Sequence, residues 1–137
     1  TQRTAIEAAL ARAASGHAPL TLAAGGVGCF PNCRRPRVIW AGIHEHAEQL
    51  SALQQAVEQF VAPLGYPTED RPFSPHLTLG RIQREASPGD VQRLGERVAN
   101  TPPMEPERWQ VDRISLIRSE LKPSGAVYTP LFHAALG

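Results

Sequence analysis

The chain has 137 residues, is 42% hydrophobic and 20% charged, and carries a formal net charge of +1. That length buries a sizeable core, as one domain or as two small lobes sharing a chain. The balanced charge excludes bulk attraction to nucleic acid, so local clusters must hold any anion, and no apolar run approaches the ~18 residues of a membrane span.

The opening "TQRTAIEAALARAA" predicts a helix over 2–14, with Ile6, Leu10, Ala13 and Ala14 as its apolar stripe. It has the pattern of a polar-faced helix, not of a basic stub followed by an apolar h-region. "SGH" ends it, and "APLTLAAGGVGCF" predicts a strand in which Gly25, Gly26 and Gly28 mark a bulge or a close backbone approach. "PNCRRP" is a turn, and "RVIWAGI" is a nearly continuous apolar run expected to be a buried strand. Leu50, Leu53, Val57, Phe60 and Leu64 recur at helical steps until Pro63 and Gly65 end the helix. A strand over 74–83 follows the polar loop "TEDRPF". "SPGDVQRLGERVAN" predicts a helix begun by Ser87 with Pro88 just inside it. "RWQVDRISLIRSEL" and "AVYTPLFHAAL" alternate as strands and are joined by "KPSG" as a hairpin. The order α-β-β-α-β-α-β-β predicts an α+β fold with mixed or antiparallel sheets flanked by helices. No dinucleotide or Walker pattern appears, and the glycines at 25–28 do not lead into a helix.

Chemistry concentrates in "RPFSPHLTLGRI" (Arg71 to Ile82). Residues two apart on a strand share a face about 7 Å apart, so His76 and Thr78 project together while Leu77 and Leu79 are expected to face the core. Arg81 lies on the opposite parity unless Gly80 introduces a bulge. The trio would then combine an imidazole that moves protons near neutral pH, a hydroxyl and a phosphate-binding guanidinium. The competing reading is a surface histidine beside a threonine that is merely a good strand former.

The remaining candidates are weaker. Cys29 and Cys33 are expected to be free structural thiols, a local disulfide being the alternative, and no second Cys or His pair completes a zinc site. His44 and His46 form a His-x-His without a third ligand at motif spacing, and a solvated loop is the plainer reading. His133 is expected to be structural, and Trp40 and Trp109 core residues. Arg118 and Tyr128 are expected to face each other across the final hairpin. Arg34, Arg35 and Arg37 form a basic turn, with Arg71, Arg81 and Arg84 as a second basic group.

"RPFSPHLTLGRI" resembles the second His-x-Thr motif of the 2′-5′ RNA ligase-like family, the RNA 2′,3′-cyclic phosphodiesterases of the two-histidine phosphoesterase superfamily. "HAPLTLAAGGVGCFPNCRRPRVIWAGI", "PLGYPTEDRPFSPHLTLGR" and "ISLIRSELKPSGAVYTPL" are similar to that family's strand–turn–strand segment, approach to the motif and closing hairpin. The resemblance implies two α+β lobes around a cleft, each giving one His-x-Thr strand. It implies His76 as proton acceptor, Thr78 and Arg81 as phosphate ligands, and Arg118 or Tyr128 as possible RNA contacts. The implied substrates are RNA with 2′,3′-cyclic phosphate ends or cyclic nucleotides, opened to a 2′-phosphate without metal or other cofactor, in the cytoplasm. Reversible 2′-5′ ligation is a further implied activity.

The sequence departs from the family in holding a single His-x-Thr. In "HAPLTL" the His17 and Thr21 are four apart, roughly 13 Å along a strand, too far to share one phosphate. A helix beginning at residue 2 without a preceding cap or Met suggests a chain cut from a longer protein. The expectation is therefore one bilobal phosphoesterase domain over 1–137, incomplete at its amino terminus and inactive alone, with roughly 1–35 left of the first lobe and 36–137 forming the second lobe and hairpin. The alternative is a non-catalytic RNA- or nucleotide-binding domain retaining one half-site.

Overall fold

The computed structural model describes residues 2–137. They fall into two units that interleave along the chain, so no single cut near residue 35 separates them. The first comprises α1 through Leu20, then Glu48–Phe73 and Gln110–Gly137; the second comprises Thr21–Ala47 and Ser74–Trp109.

In the first unit, α1 (Gln2–Ser15) buries Ala9, Leu10, Ala13 and Ala14, a mostly small-residue face that lets it approach its neighbours closely. It packs on the hairpin of β5 (Arg113–Lys122) and β6 (Gly125–Ala135). The hairpin register slips by one residue at Leu131, since Leu116 pairs with Phe132 and Ile117 with Pro130. Pro130 has no N–H to offer the ladder. The carbonyl freed at Leu131 accepts a 2.9 Å hydrogen bond from Arg3 Nη2 of α1. α2 (Ala47–Val61) follows the predicted periodicity, with Leu53 buried and Phe60 lying 4.9 Å under the Arg12 guanidinium. A 3₁₀ turn, Ala62–Leu64, ends it, and Gln2 Nε2 donates to the Leu64 carbonyl at 3.0 Å.

The second unit holds most of a four-stranded sheet in the order β3-β2-β1-β4, made of β1 (Leu20–Phe30), β2 (Val38–His44), β3 (His76–Arg81) and β4 (Glu107–Val111). β2 runs antiparallel to both β1 and β3. The predicted glycine irregularity in β1 is a bulge: Gly25 pairs with Gly42 and Val27 with Ala41, leaving Gly26 unpaired at φ +71°. Gly28 is the predicted close approach, because a Cβ there would fall inside the van der Waals shell of the Trp40 indole.

The β1–β2 turn is closed by Arg37 N–H donating to the Phe30 carbonyl at 2.8 Å, while Asn32 Oδ1 accepts from the backbone of Arg34 and Arg35 at 2.9 and 3.0 Å. α3 (Pro88–Ala99) starts as predicted at Ser87, whose Oγ accepts the Asp90 N–H at 3.1 Å. It seats on this turn through Gly95, which lies against the Cys33 carbonyl beside the fully buried Pro36.

Three expectations are corrected. "RWQVDRISLIRSEL" is two strands, because β4 joins the four-stranded sheet while β5 begins the hairpin after Asp112, whose carbonyl accepts the Leu136 N–H at 2.8 Å. Leu77 and Leu79 are not core residues: they are 44% and 59% exposed, since β3 is an edge strand whose apolar face the described residues leave open. Trp109 is likewise exposed, and Trp40 and most of β2 are half-buried, with Gly42 alone fully buried in that strand.

Replacing Gly95 with Ala pits about 1 kcal/mol of helix propensity gained against about 1–3 kcal/mol of overpacking. The atom it would meet is backbone, which cannot swing aside. We expect a net loss, read as a lower urea midpoint, and a raised midpoint would show that α3 does not seat on the turn.

Candidate active site

Residues paired across an antiparallel ladder share a face of the sheet. Gly42 pairs with His76, Trp40 with Thr78 and Val38 with Arg81. Gly42, Trp40 and Val38 alternate regularly along β2 and so share one face. His76, Thr78 and Arg81 therefore share it too. Between them Ile39 pairs with Gly80, so Leu79 is the extra residue of a bulge. The irregularity expected at Gly80 is present one residue away, and it carries Arg81 onto the side of His76 and Thr78.

The same face holds Phe30 of β1, which pairs with Val38. The Phe30 ring meets His76 edge-on at 4.9 Å and Trp40 at 5.3 Å, so the imidazole is braced from one side by an aromatic layer. The Trp40 indole N–H is buried without a hydrogen-bond partner among the described residues. Such an orphaned donor costs about 1–3 kcal/mol.

His76 is exposed, and its Nδ1 lies 2.8 Å from the Ser74 carbonyl. A carbonyl only accepts, so Nδ1 carries the proton and Nε2 presents a lone pair. Thr78 and Arg81 are exposed, and neither side chain makes a hydrogen bond or ion pair with a described residue. An acceptor nitrogen, a hydroxyl and a guanidinium on one open surface can take a proton from water and hold phosphoryl oxygens. Sequence reasoning missed Phe30 and Ser74. The register that brings Phe30 to His76 spans two strand pairs, and the Ser74 contact depends on a backbone carbonyl.

Other histidines are committed elsewhere. His17 Nδ1 donates to the Ala13 carbonyl at 2.9 Å and closes the end of α1. His44 shares the site face by alternation along β2, but its Nε2 donates to the Gly25 carbonyl at 2.8 Å. His46 Nδ1 donates to the Thr21 carbonyl at 2.6 Å, and Glu45 between them pairs with Arg108 at 2.7 Å. This His-x-His thus ties the end of β2 to β1, and among the described residues no group of three or more His, Cys, Asp or Glu is arranged to hold a metal. His133 Nδ1 is 2.6 Å from Ser115 Oγ on the paired strand.

Arg118 and Tyr128 do not face each other. The two-residue loop between paired Lys122 and Gly125 sets Arg118 opposite Thr129 and Ser119 opposite Tyr128, which puts the two side chains on opposite faces of the hairpin. Arg118 instead pairs with Glu120 at 3.5 Å. Arg71 is engaged by Glu69 at 3.4 Å, and the N–H groups and guanidinium of Arg71 lower the Glu69 pKa.

Cys29 and Cys33 are free thiols. Burial, reinforced by a hydrogen bond with Cys33, pushes the Cys29 pKa up to about 12. It is therefore a protonated, inert thiol at neutral pH.

The profile of the 2′-5′ RNA ligase superfamily matches residues 1–123. The RNA 2′,3′-cyclic phosphodiesterase of Methanothermobacter thermautotrophicus is 35% identical over 116 residues, covering 85% of this chain and 60% of that protein. A crystal structure from Thermus thermophilus superimposes with a TM-score of 0.68 at 31% identity, covering 98% of this chain and 68% of that one. Escherichia coli LigT complexed with 3′-AMP gives a TM-score of 0.71 at 26% identity, with the same coverage. The chain spans about 60% of the length of curated relatives that it matches.

The Ser74 contact predicts that ¹⁵N-resolved NMR finds the neutral His76 ring protonated at Nδ1, and a predominant Nε2–H tautomer would remove the lone pair assigned here. A second measurement follows from the raised Cys29 pKa. Iodoacetamide at pH 8 should alkylate Cys29 only after denaturation, and equal rates in native and unfolded protein would contradict its burial.

Proposed function

The chain belongs to the 2′-5′ RNA ligase superfamily, and on that footing we propose that its native protein is a cytoplasmic RNA 2′,3′-cyclic phosphodiesterase, with reversible 2′-5′ ligation as a second activity of the same centre. The substrates in this reading are RNA with a 2′,3′-cyclic phosphate end, or a cyclic nucleotide. His76 Nε2 takes a proton from water as its oxygen attacks phosphorus, and the bond from phosphorus to the ribose 3′ oxygen breaks, leaving a 2′-phosphate. Thr78 donates its hydroxyl hydrogen to a non-bridging oxygen, and Arg81 binds the phosphate through its guanidinium fork. The chemistry rests on side chains alone, so the proposal includes no metal or other cofactor.

The departing oxygen needs a proton of its own. This chain holds one His-x-Thr, so the proposal gives His76 the base half of the reaction and leaves the acid half to the whole protein, within one bilobal domain. Arg118 and Tyr128 remain candidate RNA contacts, each toward its own side of the hairpin. No helix among the described residues is long and apolar enough to cross a membrane.

The observation that supports this reading best is the β2–β3 register, which gathers an imidazole with a free Nε2, a hydroxyl and an unpaired guanidinium on one face. Related proteins named RNA 2′,3′-cyclic phosphodiesterase add independent support.

In the protein at its native length, His76→Ala should lower the rate of cyclic phosphate opening by about 10²–10⁴-fold, with an unchanged circular dichroism spectrum. Turnover within a few-fold of the parent would exclude His76 as the base, whereas no turnover in the parent itself would favour a binding module that keeps the half-site.

A further inference from the structure

A groove of about 890 Å³ lies between the β1–β2 turn and α3, outside the His76 face. Four arginines line it: Arg34, Arg35 and Arg37 from the turn and Arg84 from the loop after β3. All four are exposed, and none of their guanidinium groups forms an ion pair or hydrogen bond with a described residue. The chain's net charge is only +1, so these guanidinium groups are a local concentration of charge and not a sample of a basic surface. The one carboxylate in the lining, Glu96, accepts from Gln92 at 3.4 Å. Other exposed arginines find carboxylates within reach, among them Arg93 with Asp90 and Arg108 with Glu45. Unpaired like charges facing one groove repel, and an anion relieves that repulsion.

The groove adjoins the end of the sheet where Arg81 sits. The Ile82 N–H donates to the Arg37 carbonyl at 2.9 Å, so the chain leaving the site at Arg81 is stitched to the basic turn before it reaches Arg84. Its lining contains no aromatic side chain, and its apolar part includes Pro36, Val91, Gly95 and Ala99. A base finds no aromatic platform there, whereas a phosphodiester chain needs only positive charge and room.

We propose that this groove binds the sugar–phosphate backbone of single-stranded RNA on the 5′ side of the end held at His76, without regard to sequence. This rests on the reading of the His76 face as a cyclic phosphodiesterase site, and it adds where the remainder of a longer substrate lies. A mononucleotide ends before the groove. The groove therefore confers a preference for longer RNA and leaves the chemical step untouched.

The test uses the native-length protein and its Arg34→Ala, Arg35→Ala, Arg84→Ala triple variant, all three changes being on exposed side chains. Anisotropy with a labelled twelve-residue oligouridylate ending in a 2′-phosphate is read across a salt series. Each phosphate contact on a single strand contributes about 0.7 to the slope of log affinity against log salt, so losing three should flatten it by about 2. Conversion of the same positions to Lys should restore most of the slope. Hydrolysis of a 2′,3′-cyclic mononucleotide should be equal in parent and triple variant, while KM for a cyclic-ended twelve-mer rises at least ten-fold in the variant. An unchanged slope with intact hydrolysis overturns the groove assignment and leaves the enzymatic reading standing. Absence of hydrolysis in the parent overturns the enzymatic reading instead. Displacement by polyglutamate, with no salt-dependent RNA binding, would assign the groove to an acidic protein and also overturn the proposal.

Discussion

Trp40 of β2 pairs with Thr78 of β3, but the next residue, Ile39, pairs with Gly80, and the ladder slips around the unpaired Leu79. Side chains alternate along a regular strand, so without that slip Arg81 would point away from His76 and Thr78. A bulge costs a ladder contact and bends the strand. In exchange it re-aims everything that follows by one residue. The place of Arg81 beside His76 and Thr78 depends on this single offset.

The slip is held in place from the neighbouring strand. Trp40 lies across β1 because Gly28 has no side chain to obstruct its indole, and Phe30 two residues on fills the space between Trp40 and His76. Gly28, Trp40 and Phe30 thus form a brace whose last contact is the imidazole edge. The turn that presents Phe30 also projects Arg34 and Arg35, so one short connection serves both the site and the basic groove. α3 seats on the same turn through Gly95.

Four histidines, at positions 17, 44, 46 and 76, place a ring nitrogen against a backbone carbonyl. This contact by itself does not distinguish a reactive imidazole from a structural clasp. What distinguishes His76 is its company: a hydroxyl and an unpaired guanidinium on the same side of the sheet. His17 closes a helix, and His44 and His46 fasten the end of β2 to β1. Proton-transfer chemistry needs groups that converge on one reacting atom, and convergence is a property of register and not of residue type.

The sequence by itself determined the element order as far as α3, the start of α3 at Ser87, the irregularities at Gly25–Gly28 and near Gly80, and the shared face of His76 and Thr78 on one strand. Each rests on short-range chemistry: helical periodicity, a capping hydroxyl, the absence of a Cβ, alternation along one strand. The tertiary structure alone decided that Arg81 joins them, that Arg118 and Tyr128 part company, that the run around Asp112 splits between two sheets, and that Leu77 and Leu79 remain open to solvent. Those outcomes depend on which strand is the partner and which residue lies opposite, and alternation within a single segment is blind to both because a one-residue slip preserves the pattern while reversing the face.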